Sequence, residues 1–180
     1  MPTLERPTPD VRESFLAAMD EFRAEGRGEA WDDSVVCDDL RKFSASWSSA
    51  EGFEEYVSQV LAQSREDAPR PEGFVPATTL WWTEGSGYLG RLSIRHRLTP
   101  HLLERGGHIG YDIRASARRR GHATAMLRAA LPVARALGIE SALITCDHDN
   151  IASKRVIENN GGVFEDRRGN KLRFWVPTAT

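Results

Sequence analysis

The chain has 180 residues, 40% of them hydrophobic, and a formal net charge of −2. That suits one domain with its own core and gives no global pull toward nucleic acid or an anionic membrane. The two cysteines, Cys37 and Cys146, fall outside any CxxC or Cys/His spacing, so neither a disulfide framework nor a zinc site is expected.

The start, MPTLERPTPDVRE, lacks an apolar signal core, and no run nears the ~20 apolar residues that span a bilayer. A cytoplasmic protein without a membrane partner is expected. DVRESFLAAMDEFRAE (10–25) sets Val11, Phe15, Ala18, Met19 and Phe22 at helical spacing behind a candidate N-cap, Asp10. A polar, aspartate-rich connection follows over 26–39. Phe53, Tyr56, Val57, Val60 and Leu61 mark a second amphipathic helix, and REDAPRPEG (65–73) then breaks the chain. Residues 1–67 carry 16 acidic and 7 basic side chains, against 10 and 17 in 68–180. Such a split suits a cationic ligand on one side and an anionic ligand on the other, or simply a pair of solvated acidic helices.

Strands begin at FVPATTLWW (74–82). YLGRLSIRH (88–96) alternates, with Tyr88, Leu92 and Ile94 on one face and Arg91, Ser93 and Arg95 on the other. GSGYLG (85–90) matches GxGxxG in its letters, but it opens an alternating strand and not a helix, so a hairpin turn is expected. HIGYDI (108–113) reads as a strand and 121–137 as a helix with Gly138 suited to its C-terminal cap. ALITC (142–146) reads as a strand buried on both faces. Strand, helix and buried strand within about 40 residues describe a βαβ crossover with parallel strands, and Pro132 should bend its helix. A shorter helix over 150–160 is closed by Gly161 and Gly162, and a hairpin turning at Gly169–Asn170 ends the chain. The expected fold is α/β (α+β): one domain over 1–180, mainly helical over 1–73, with a mixed central sheet flanked by helices over 74–180.

RRRGHA (118–123) sits at the strand-to-helix joint of the crossover. A helix start leaves backbone N–H groups without partners and carries partial positive charge, which suits phosphate oxygens. Gly121 lets the backbone approach closely, small Ala123 and Thr124 keep the first turn open, and Arg118, Arg119 and Arg120 add charge. No GK[ST] follows, so nucleotide hydrolysis of the P-loop type is not indicated. The cluster lacks the aromatic interleaving of a nucleic-acid surface, so no nucleic-acid partner is expected.

Arg118-x-x-Gly121-x-Ala123 resembles the (Q/R)xxGx(G/A) signature of the GCN5-related N-acetyltransferases, the GNAT superfamily. YDIRASARRRGHATAMLRAAL and ITCDHDNIASKRVIENNGGVFE follow the family's order of strand, turn, helix, strand and helix over 108–164. GGHIGYDIR and TCDHDNIASKRVIENNGG resemble a little-characterised bacterial subgroup of predicted acetyltransferases. The resemblance implies acetyl-CoA as donor, with pyrophosphate on the amides from Arg119 to Thr124, His122 contributing mainly its backbone. It implies pantetheine along the backbone of Ile113, Arg114 and Ala115, and the CoA arm near Asn150 and Ser153. No metal is implied. The N-terminal helices would border a small amine acceptor, cationic if the charge split reflects function, and a homodimer is common among similar proteins.

Transfer to an amine needs a lost proton, a polarised thioester carbonyl and a stabilised leaving thiolate. The family often places a glutamate five residues before the position of Ile113, where this chain has His108, an imidazole able to accept a proton near neutrality. Glu104 and Asp112 are rivals, Asp112 sharing the strand parity of His108 if no bulge intervenes. The family's tyrosine seven residues after the helix asparagine is Ile157 here, which donates nothing. Tyr111 is a candidate donor if its strand turns it inward. The missing tyrosine also leaves open a catalytically inactive CoA-binding sensor or interaction module. His96, His101 and His148 are too loosely placed to argue for a metal, while Trp31, Trp47, Trp81, Trp82 and Trp175 suit either an acceptor pocket or the core.

Overall fold

A computed structural model describes residues 1–29 and 34–179. Trp31 and part of the acidic connection lie outside the described residues. The first helix, α1 (Arg12–Ala24), is entered through a short 3-10 turn over Pro9–Val11. The expected cap at Asp10 is displaced. Thr8 caps that turn by accepting from the Asp10 N–H at 3.3 Å, because Pro9 takes the first helical position, where no donor is needed.

A second helix, α2 (Val35–Phe43), stands where a polar connection was expected, with Ser34 accepting from the Cys37 N–H at its start. Its Asp38, Asp39, Arg41 and Lys42 mask the buried Val36, Cys37 and Leu40. Next comes α3 (Ala50–Ala62), capped by Ser49. Phe15 of α1 centres the aromatic core beneath these helices. Its ring lies 5.0 Å from Trp47, 5.1 Å from Phe53 and 5.2 Å from Trp81. Such offset and edge contacts add to burial, and they place Trp47 and Trp81 in the core.

Four antiparallel strands pair in the order β1 (Thr3–Glu5), β2 (Ala77–Glu84), β3 (Gly87–Arg95) and β4 (Ile109–Ile113). The β2–β3 hairpin turns between Glu84 and Gly87, as the alternating pattern predicted. A register shift at Trp82/Thr83 divides the expected face of β3. Tyr88 joins the aromatic core, while Leu92 and Ile94 face the opposite side. That side packs on α5 (His122–Ala136), which ends at Gly138 in the left-handed region. A small helix, α4 (Pro100–Glu104), links β3 to β4.

The remaining strands are β5 (Ser141–Asp147), β6 (Val163–Arg168) and β7 (Lys171–Pro177), ordered β5-β7-β6 and also antiparallel. Between β5 and β6 lies α6 (Ile151–Glu158). The β4–α5–β5 crossover forms, but among the described residues no ladder joins β4 to β5. They touch where the His108 N–H reaches the Leu143 carbonyl at 2.7 Å. Gly107, at φ +60, permits this approach: a Cβ there would lie 2.3 Å from the Leu143 oxygen. The rest of the gap between the two strands forms the site.

Candidate active site

The loop from Arg119 to Gly121 turns sharply, with Arg119 at φ +62 and Gly121 at φ +80. Arg118 donates to the Ala115 carbonyl and Ala125 to that of Gly121. Between them, the N–H groups of residues 119–124 find no acceptor among the described residues. Six consecutive free donors at the start of a fifteen-residue helix form a backbone nest suited to anionic oxygens.

The nest is braced from α1. Glu21 takes the Arg114 guanidinium at 2.9 Å, the Ser116 N–H at 2.9 Å and the Ser116 hydroxyl at 2.8 Å. Burial alone would raise the Glu21 pKa, but these hydrogen bonds prevail and hold it at about 2. Arg118 pairs with Glu25 at 2.8 Å and donates to the Ile113 carbonyl at 2.9 Å. In the reverse sense, Arg27 pairs with Asp112 at 2.8 Å. Asp39 pairs with Arg91, and the Tyr56 hydroxyl donates to Asp39 at 2.7 Å. Part of the charge split between the two halves is therefore spent in internal ion pairs, which weakens it as an argument for a cationic acceptor.

β4 offers its backbone to the same gap. Arg95 donates to the His108 carbonyl and Arg114 to that of Leu89, so the even-numbered residues of β4 bond to β3. By strand alternation the main-chain groups of Ile109, Tyr111 and Ile113 face away from β3. Of the backbone run expected at 113–115, only Ile113 lines the cleft. The Arg114 N–H is already bonded, and Ala115 sits in a 3-10 turn outside the cleft.

These elements enclose a cleft of about 470 Å3. Of the residues expected there, Ile113, Arg118, Arg119, Gly121, His122, Ala123, Thr124, Asn150 and Ser153 all line it. Arg114, Ala115 and Arg120 do not. The His122 ring is turned to the core, accepting from the Trp82 indole N–H at 3.3 Å. Asn150 caps α6 by accepting from the Ser153 N–H at 3.0 Å through Oδ1, which leaves its amide N–H groups uncommitted.

His108 does not line the cleft. Its Nδ1 accepts the Leu143 N–H at 2.9 Å, which fixes the neutral imidazole with its proton on Nε2. Burial, with the nearby Arg95 charge, lowers its pKa to about 4. This corrects the expectation of His108 as proton acceptor: its lone pair is already engaged by the backbone. Glu104 is also remote, paired with Arg168. Asp112 lines the cleft, and the regular β3–β4 register leaves it on the parity expected.

Tyr111 lines the cleft too, its hydroxyl 2.7 Å from Ser153 Oγ and 3.3 Å from the Ser153 carbonyl. Burial raises its pKa above the usual phenol value. Ile157, at the position of the family's tyrosine, is fully buried. Arg27, Ala117, Ala152 and Val156 complete the lining unannounced by the sequence reading. Arg27 comes from the turn that follows α1 and carries no local motif. Ala152 and Val156 follow from helical spacing once Asn150 and Ser153 are placed. Among the described residues no group of three metal-ligating side chains converges, and no helix is long and apolar enough to cross a membrane.

The sequence profile of the acetyltransferase (GNAT) domain matches residues 19–163. The chain belongs to the GNAT acetyltransferase family. Its members transfer an acetyl group from acetyl-CoA, and this acetyltransferase is an enzyme of that class. No curated protein sequence matches it. Among solved structures it resembles the Mycobacterium smegmatis acetyltransferase RimJ in complex with CoA-disulfide. That pair shares 16% identity over 98% of this chain and 81% of that one, with a TM-score of 0.66. The microcin C7 self-immunity acetyltransferase MccE, in complex with acetyl-CoA and AMP, has 14% identity, coverage of 98% and 92%, and a TM-score of 0.63. The ribosomal L7/L12 alpha-N-protein acetyltransferase RimL, in complex with coenzyme A, has 18% identity, coverage of 99% and 96%, and a TM-score of 0.61. These likenesses show the fold that the resemblance implied.

Proposed function

We propose that this acetyltransferase binds acetyl-CoA in the cleft between β4 and β5 and transfers the acetyl group directly to the primary amine of a small molecule. The observation that carries this reading is the run of six unsatisfied N–H groups over 119–124 at the cleft wall. They fit a pyrophosphate, with the Arg119 side chain beside them; Arg118 is held by Glu25, and Arg120 lies outside the lining. The outward backbone of Tyr111 and the Ile113 N–H fit the amides of a pantetheine arm, the Ile113 carbonyl being engaged by Arg118, and the free amide of Asn150 fits its polar groups.

The acceptor arrives as an ammonium, and in that sense it is cationic. Asp112 is the carboxylate on the cleft wall and receives its proton, directly or through water. The freed amine attacks the thioester carbonyl, the new C–N bond forms and the C–S bond breaks. The nitrogen then gives up a second proton, which passes to the departing thiolate directly or through water so that CoA leaves as the thiol, while Tyr111, kept protonated by burial, donates a hydrogen bond to that sulfur. His108 is assigned a positioning part: it pins β4 to β5 at the closed end of the gap.

Free CoA release from acetyl-CoA across a panel of primary amines tests the reading on wild type and Asp112→Asn. Turnover with at least one small amine, reduced about 100-fold in the variant, is expected. Equal turnover in both would remove Asp112 from the chemistry, and consumption of acetyl-CoA by no amine would remove the acceptor class.

A further inference from the structure

A second cavity, of about 390 Å3, lies away from the cleft between α2, α3 and the polar face of β3. Strand alternation places Arg91, Ser93 and Arg95 on its floor, the polar face of RLSIR. Arg91 is neutralised by Asp39. Arg95 is not: among the described residues no carboxylate pairs with it. Its Nη1 donates to the Gly106 and Gly107 carbonyls at 3.1 and 3.2 Å, which fixes the guanidinium plane. The remaining edge, Nε and Nη2, has no acceptor among the described residues, and this edge of a guanidinium takes a carboxylate through two parallel bonds. A second sign is independent. Arg91, 3% exposed, also lines the cavity, and its Nε is buried without a partner. Phe43, Val60 and Phe74 make part of the wall apolar, beside the polar Gln59, Gln63 and His101, and Phe74 stands 58% exposed at the rim. Lys42 and Asp38 face each other at 3.9 Å nearby and nearly cancel.

We propose that this cavity binds a small organic carboxylate with an apolar body, its carboxylate seated on the Nε–Nη2 edge of Arg95. The guanidinium is held in place before the ligand arrives, so little side-chain freedom is lost on binding. Such a carboxylate is either part of the amine acceptor or a separate effector, and the chemistry of recognition is the same.

The test is calorimetric titration of phenylacetate into the full chain, with 2-phenylethanol as the carboxylate-free control. Phenylacetate is expected to bind wild type and the alcohol is not. Arg95→Met should weaken phenylacetate at least about tenfold, the equivalent of 1.4 kcal/mol. Because that variant also loses the bonds to Gly106 and Gly107, Ala77→Phe serves beside it. Ala77 lines the cavity directly opposite Arg95 in the β2–β3 register, so the larger side chain fills the space without touching the guanidinium's partners.

No binding to folded wild type, or binding unchanged in both variants, overturns the proposal. Two kinetic arms separate the sources. If Arg95→Met raises KM for phenylalanine and leaves that for phenethylamine unchanged, the carboxylate belongs to the acceptor. If phenylacetate alters turnover of phenethylamine without competing with it, the carboxylate belongs to an effector. Failure of all amines in a protein that still binds phenylacetate would count against the transfer reading alone.

Discussion

His108 of the loop entering β4 takes the backbone N–H of Leu143 on β5 through Nδ1 at 2.9 Å, while its own N–H reaches the Leu143 carbonyl at 2.7 Å. One residue thus closes both sides of a two-bond clasp between strands that share no ladder. Beyond the clasp the strands part, and the cleft lies in that parting.

The clasp sets a pH dependence. Burial and the Arg95 charge hold the folded pKa of His108 at about 4, against 6.5 in a free chain. Between those values the unfolded chain takes a proton that the folded chain refuses. Stability is therefore full above pH 6.5 and falls on acidification toward pH 4. Urea unfolding at pH 7.5 and pH 4.5 should show a loss with an upper bound on the order of 3 kcal/mol from this group. His108→Gln should flatten that slope while lowering stability at pH 7.5.

Glu21 accepts from four donors of the segment that leads into the nest, two on Arg114 and two on Ser116. Its folded pKa of about 2, against 4.5 unfolded, means that its contribution is present above pH 4.5 and is lost as pH falls toward 2. Glu21→Gln should cost about 1 kcal/mol at neutral pH after allowing for solvent screening. It should also raise KM for acetyl-CoA several-fold, read in the same preparation by thermal melting and steady-state kinetics.

Gly121 stands at φ +80 with nothing within 4 Å of where a Cβ would be. Strain, not collision inside the protein, is the penalty for a side chain there. Gly121→Val should cost about 1–2 kcal/mol of stability. It should weaken acetyl-CoA roughly tenfold or more, because the branched side chain intrudes where the backbone must meet phosphate. Equilibrium titration with CoA checks the second effect.

Tyr111→Phe removes a hydroxyl placed between the cleft and Ser153. If that hydroxyl steadies the thiolate, kcat should fall about 10- to 100-fold, with KM for acetyl-CoA changed little. A loss confined to KM would assign Tyr111 to binding instead.

Much of this was legible in the sequence because it rested on local signals. Gly121 followed by Ala123 and Thr124, set between a strand and an amphipathic helix, marked the nest. Asn150 and Ser153 marked the start of α6. What the sequence hid was long-range. Nothing local to Glu21 says that it reaches Ser116, and nothing in RRRGHA says that Arg118 is consumed by Glu25. The helix α2 was hidden because charged residues interrupt its buried Val36, Cys37 and Leu40. His108 was misread for a related reason. Its place in the strand is visible in sequence, but the partner of its Nδ1 is a backbone N–H 35 residues away.

Amide hydrogen–deuterium exchange with and without acetyl-CoA tests the proposed seat of the cofactor. The N–H groups of residues 119–124 have no acceptors among the described residues and should exchange fast in the free protein. Strong protection of this segment on addition of acetyl-CoA is expected, together with protection at Tyr111 and Ile113. Saturating acetyl-CoA that leaves 119–124 exchanging at the free rate would contradict the placement.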